Sequence, residues 1–160
     1  MMRLVFWTAS FAFLLDQISK YVMVHVLNLS QIRGIDVFPP LLQFRYGENR
    51  GINFGLFGDA PDVVRWVLVA FSIIVVIGVL WWVRRFPNNV LMLLSAGLLV
   101  GGALGNVVDR VAYGYVIDFL NMSCCGINNP YVFNIADIFI FAGAFGLILF
   151  EGRTRGKKAS

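Results

Sequence analysis

Four long apolar runs divide the chain, at 4–27, 63–83, 90–108 and 133–150. A helix rises 1.5 Å per residue, so about 20 apolar residues cross a hydrocarbon core near 30 Å. The last run is short but sufficient. The pattern therefore predicts an α-helical integral membrane protein with four transmembrane helices. Asp16, Gln17, Ser19 and Lys20 interrupt the first run. Its length and its internal Asp/Lys pair argue for an uncleaved span over a signal peptide. Asp16 and Lys20 stand at i and i+4, on one helix face. Gly97, Gly101 and Gly105 recur every four residues in the third run, with Gly102 alongside, a stripe that lets a neighbouring backbone come close.

The connections differ in character. The segment 28–62 scatters Gly, Pro, Asn and Asp, and within it Leu42-Gln-Phe-Arg-Tyr46 alternates apolar and polar. That is the period of a half-buried strand, so a small β-element resting on the outer membrane surface is expected. Its glycine-rich continuation, 47–58, serves equally well as turns or as room for a bound backbone. Residues 84–89 make a tight link. The segment 111–132, broken by Gly126 and Pro130, is expected to be a non-spanning loop.

Composition sharpens this picture. Of 160 residues, 59% are hydrophobic and 14% charged, with a mean hydropathy of +0.77. Soluble domains run nearer 45–50% apolar and about 25% charged. The length suits a single membrane-embedded domain, 1–160. The net charge of +4 does not imply nucleic acid, because most basic residues flank apolar runs as topology signals and lipid contacts. Cys124 and Cys125 are neighbours without Cys-x-x-Cys spacing and read as loop thiols.

Four spans put both termini on one side, with Arg3, Arg84, Arg85, Arg153, Arg155, Lys157 and Lys158 against Glu151. That excess makes the side cytoplasmic. The orientation gathers the polar residues of the apolar runs at one depth. Asp16 falls in the outer half of the first span, about 18 Å from Leu4. Asn106 and Asp109 fall at the outer end of the third, Asp118 in the outer loop, and Asn134 and Asp137 at the outer start of the fourth.

A carboxylate at the bilayer centre costs roughly 2.5–3.5 kcal/mol on insertion scales, so each is a functional candidate. Two carboxyls a few ångströms apart share a proton. The ionised one can activate water while the neutral one hydrogen-bonds a carbonyl, as in aspartic proteases. Asp16 and Asp109 have basic neighbours, Lys20 and Arg110, and are read mainly as helix ties. Asp118 and Asp137 lack them and are favoured as the reactive pair. The lone His25 leaves zinc hydrolysis short of ligands, and no metal or cofactor is expected.

In this order the chain carries Asp16-Gln-Ile-Ser-Lys20, Asn49-Arg-Gly-Ile-Asn-Phe-Gly55, Gly101-Gly-Ala-Leu-Gly-Asn-Val-Val-Asp-Arg110, Val116-Ile-Asp-Phe119 and Phe133-Asn-Ile-Ala-Asp137. The set resembles the lipoprotein signal peptidases (signal peptidase II), bacterial membrane aspartic peptidases, over nearly the whole chain. The resemblance implies a catalytic pair at Asp118 and Asp137. It also marks Asp16, Asn49, Gly55, Asn106, Asp109, Arg110, Asn134 and Ala136 as lining or supporting the site, beside Lys20 from the helical pairing. Ile52 and Asn53 replace two alanines of the family's pattern. The resemblance further implies cleavage of a prolipoprotein before its diacylglyceryl-modified cysteine, in the bacterial inner membrane. The site would lie at the periplasmic leaflet, the β-element would cradle the peptide, and a monomer is expected.

Three rivals fit the sequence less well. A four-helix proton or ion carrier would use intramembrane carboxylates spread through the depth. Presenilin- or prepilin-peptidase-type proteases carry Gly-x-Gly-Asp, whereas Asp118 follows Tyr115-Val-Ile. A purely structural membrane protein leaves the clustering unexplained.

Overall fold

The structure, a computed structural model, describes residues 2–51, 61–86, 88–124, 126 and 129–155. In chain order it contains α1 (Met2–Tyr21), a π-helical turn (Val22–Val26), α2 (Leu29–Ile32), β1 (Gly34–Phe38) and β2 (Leu42–Asn49). Then follow α3 (Pro61–Val83), α4 (Val90–Tyr113), β3 (Val116–Asn121) and α5 (Ile135–Arg155).

Helix α4 is the centre, packing against α1, α3 and α5. Its glycines explain why. An added Cβ at Gly97, Gly101 or Gly105 would strike α1, at Thr8, Ala9 and Asp16 respectively. One at Gly102 would lie 2.5 Å from the carbonyl oxygen of Ala136 on α5. One glycine row therefore seats α1 and the next seats α5, backbone against backbone. Val5, Val83, Met92, Leu93, Ala96, Leu99 and Leu147 form the largest buried apolar cluster. It lies at the end where Asn89 caps α4 by accepting from the Met92 N–H.

Among the described residues, two helices are long and apolar enough to cross a membrane, Asp62–Val83 and Val90–Tyr113, with mean hydropathies of 2.7 and 1.9. The first is almost wholly uncovered, whereas the second is mostly buried by its neighbours. Helices α1 and α5 turn large apolar residues outward, among them Phe6, Trp7, Phe11, Phe141, Phe145 and Ile148.

Several boundaries differ from the sequence pattern. The first run is α-helical only to Tyr21, then widens into the π turn and stops at Asn28, whose φ is 50°. The strand expected from Leu42 is present and pairs with β1. The segment 111–132 is not simply a loop. Helix α4 runs on to Tyr113 and ends on Gly114 at φ 85°, a left-handed cap that favours glycine. Strand β3 then enters the same sheet, antiparallel to β2, with Gly47 opposite Asp118 and Asn49 opposite Val116. Every residue of β3 is buried, so it shows no alternation of apolar and polar positions. Phe133 does not open the last helix. It forms a bridge with Leu120, and α5 begins at Ile135.

Candidate active site

The polar side chains of α1, α4, β3 and α5 meet where β3 crosses the ends of the helices. The inner layer is ionic. Lys20 Nζ lies 2.7 Å from Asp16 Oδ2 and 2.7 Å from Asp109 Oδ2, all three side chains being at most 3% exposed. Asp16 Oδ1 accepts the Ala136 N–H at 2.9 Å, and Asp109 Oδ2 accepts the Ile117 N–H at 3.2 Å. One lysine thus ties α1 to α4, while the two aspartates reach on to α5 and β3. Burying such ions is costly, and each is offset here by several hydrogen bonds.

Asp109 is therefore not paired with Arg110. Consecutive residues on a helix point about 100° apart and do not face each other. Arg110 Nη1 instead donates to the carbonyl of Asn106 at 3.3 Å, and its charge is felt by Asp137 and Asp118 as well as by Asp109. Gln17 is a member that the sequence pattern did not single out. Its Nε2 donates to Asp16 Oδ2 at 3.1 Å and Asp109 Oδ1 at 3.0 Å. A polar residue beside Asp16 within an apolar run was the available signal.

The outer layer holds Asp118 and Asp137. Asp118, on β3, is 1% exposed and accepts from Asn134 Nδ2 at 2.6 Å and Asn49 Nδ2 at 3.1 Å. Asp137 is half-buried in the first turn of α5 and accepts from Asn106 Nδ2 at 2.9 Å. Asn134 and Asp137 also close a reciprocal cap. Asn134 Oδ1 accepts the Asp137 N–H at 2.9 Å, and Asp137 Oδ2 accepts the Asn134 N–H at 3.3 Å. This satisfies two helix-end donors and fixes both side chains against the helix start. Asn134 Nδ2 further donates to Asn106 Oδ1 at 3.1 Å. Asn134 and Asn106 together link the two carboxyls.

Burial, and next the neighbouring Asp137 carboxylate, pushes the Asp118 carboxyl up to about 7; the Asn49 and Asn134 amides and Lys20 act in the opposite sense. Asp137 stands where the helix dipole favours negative charge. The arrangement suits one proton shared by two carboxyls in unlike surroundings. Among the described residues no group of three or more His, Cys, Asp or Glu is placed to hold a metal ion. Gly55, and the departures at Ile52 and Asn53, lie outside the described residues, as does Cys125. Cys124 is exposed.

The family model described as signal peptidase (SPase) II matches residues 8–151. The lipoprotein signal peptidase of Alteromonas mediterranea is 39% identical over 154 residues, covering 96% of this chain and 82% of its own length. That of Methylorubrum extorquens is 47% identical over 135 residues, covering 84% and 77%. A bacterial membrane enzyme solved by the in meso method at 2.3 Å superimposes with a TM-score of 0.75 at 26% identity. That match covers 96% of this chain and 90% of the other.

Proposed function

The chain belongs to the signal peptidase II family, and on that premise we propose that Asp118 and Asp137 are the catalytic carboxyls of this membrane endopeptidase. Its activity is the removal of signal peptides from lipoprotein precursors. The proton- or ion-carrier alternative finds no support in the relatives, which are named as peptidases. The observation that carries the assignment is the shared bridge: Asn134 donates to Asp118 and caps Asp137, so one side chain registers both carboxyls.

The unlike surroundings divide the labour. Asp118, held up to about 7, is the carboxyl that keeps the proton near neutrality and donates it to the scissile carbonyl oxygen. Asp137, at the helix start and fed by two N–H donors, takes a proton from the attacking water. Water oxygen bonds to the carbonyl carbon, giving a tetrahedral diol. The C–N bond then breaks as the proton held by Asp137 passes to the leaving nitrogen. The diol returns a proton to the pair, leaving one proton shared as at the start. The Arg110 charge, felt by both carboxyls, favours the ionised form of the pair.

Helices α1, α3, α4 and α5 are read as four spans of one domain, each of 20 to 24 residues and so about 30 Å or more in length. The basic α3–α4 link, Arg84 and Arg85, faces the cytoplasm with both termini, in the inner membrane. The carboxyls then sit at the periplasmic leaflet. A diacylglyceryl-modified cysteine keeps its acyl chains in lipid while the bond before it meets the pair. The sheet β1–β2–β3 covers the site from outside, with Asn49 reaching down from β2. Supporting roles fall to Asp16, Lys20, Asn106, Asp109 and Asn134, with the Ala136 backbone N–H holding Asp16.

Purified Asp118→Asn and Asp137→Asn proteins are expected to fold and to leave a lipid-modified precursor uncleaved. Turnover near that of the wild type in either variant removes the pair.

A further inference from the structure

The three asparagines of the site share one property. An asparagine amide offers an acceptor on one side and two donors on the other, and its surroundings decide which side meets a carboxylate. Asn49 Oδ1 accepts the Gly51 N–H at 3.1 Å, which leaves its Nδ2 for Asp118. Asn134 Oδ1 accepts the Asp137 N–H at 2.9 Å, which leaves its Nδ2 for the other Asp118 oxygen. In both cases a backbone N–H, which has no lone pair to offer, sets the amide.

Among the described residues, no backbone N–H donates to the side-chain oxygen of Asn106. Its Oδ1 faces Lys20 Nζ at 3.2 Å and Asn134 Nδ2 at 3.1 Å, and its Nδ2 donates to Asp137 Oδ1 at 2.9 Å. An ammonium has three N–H bonds and no acceptor. Asp16 and Asp109 take two of them, and the third falls to Asn106. Turned over, the Asn106 amide would set its NH₂ against the ammonium and its oxygen against the Asp137 carboxyl.

We propose that Lys20, besides tying α1 to α4, is a positioning residue for Asp137, because its third N–H, together with the Asn134 amide, fixes the Asn106 amide with its donor aimed at that carboxyl. The inference rests on the reading of Asp118 and Asp137 as the catalytic pair. Among the described residues the charged groups around the pair are Arg110 and Asp109 on α4 and Asp16 and Lys20 on α1. Removing Lys20 would change both the field and the amide, so the test separates the two.

The double variant Lys20→Met/Asp109→Asn keeps the Asp16–Lys20–Asp109 set at the same net charge as in the wild type. Its kcat/KM is followed against pH with a lipid-modified precursor peptide and compared with the wild type, which is matched to it in charge. The acid-side limb, where the pair takes up its second proton, is expected to move up by about one pH unit, with kcat reduced and KM kept. Adding Asn106→Leu to both proteins should abolish the difference between them. The same difference in both backgrounds shows a direct field effect and overturns the inference. An unmoved limb with only a lower folded yield shows a structural tie and also overturns it. Should the methionine variant not fold, Lys20→Gln/Asp109→Asn, whose amide presents either end, replaces it with the same expected shift, and an unmoved limb counts against the inference in the same way. An active Asp137→Asn would remove the underlying pair; a wild-type limb beside an inactive Asp137→Asn removes this inference alone.

Discussion

Replacing Gly102 by alanine tests whether helix spacing sets the active-site geometry. The new Cβ would lie 2.5 Å from the carbonyl oxygen of Ala136, with the Ala136 carbonyl carbon at 3.3 Å. Ordinary contact begins at 3.4 Å, so α4 and α5 must part by about 0.9 Å at that level. The atom struck is backbone and cannot rotate away. Asp137 is the next residue along α5, and its bond from Asn106 Nδ2 is 2.9 Å long. If the whole displacement fell there, the bond would stretch to about 3.8 Å, beyond hydrogen-bonding distance. Overpacking of this kind costs about 1–3 kcal/mol. A misplacement near 1 Å can lower a rate about 10²-fold. Gly78 on α3 is the control, because nothing lies within 4 Å of a Cβ built there. The assay is cleavage of a lipid-modified precursor by purified Gly102→Ala and Gly78→Ala, with thermal unfolding in the same detergent. Gly78→Ala should match the wild type in both. Wild-type kcat in Gly102→Ala would refute the claim that this contact holds Asp137 in register.

The legible parts of the fold were those with a strong period or a forbidden residue. The apolar runs and the glycine row of α4 announce packed helices, and the alternation at 42–46 announces β2. The polar residues within these runs announce a site because lipid tolerates them poorly. Strand β3 was hidden because burial on both faces erases its alternation, although it carries Asp118. The partner of Asp109 was hidden for another reason. Nearness in sequence suggested Arg110, but the helix turns Arg110 aside and brings Lys20 in from 89 residues away in the chain. The role of Gln17 depends on the same α1–α4 contact and had no local signal beyond its polarity. Spacing along one helix was readable, whereas partners across helices were set by the glycine rows.

Two predictions remain. Asp109→Ala leaves Lys20 with one carboxylate and strands the Ile117 N–H, so a loss of about 3–5 kcal/mol is expected, read as a lower unfolding temperature; an unchanged midpoint would refute the tie. The other concerns the alkaline side of the pH profile. Asp118 must keep its proton to donate it, and its carboxyl is pushed up to about 7, so kcat/KM should fall about tenfold per unit well above that pH. The Asn49 amide stabilises the charged form of Asp118, and without it the proton is held to higher pH. Asn49→Ala should therefore move the alkaline limb upward. The same raised value makes folding favour the protonated carboxyl, so this group's contribution to stability is full below about 4 and lost as pH rises through 7. An alkaline limb that stays in place or moves down in Asn49→Ala would show that Asp118 is not the group that must keep its proton.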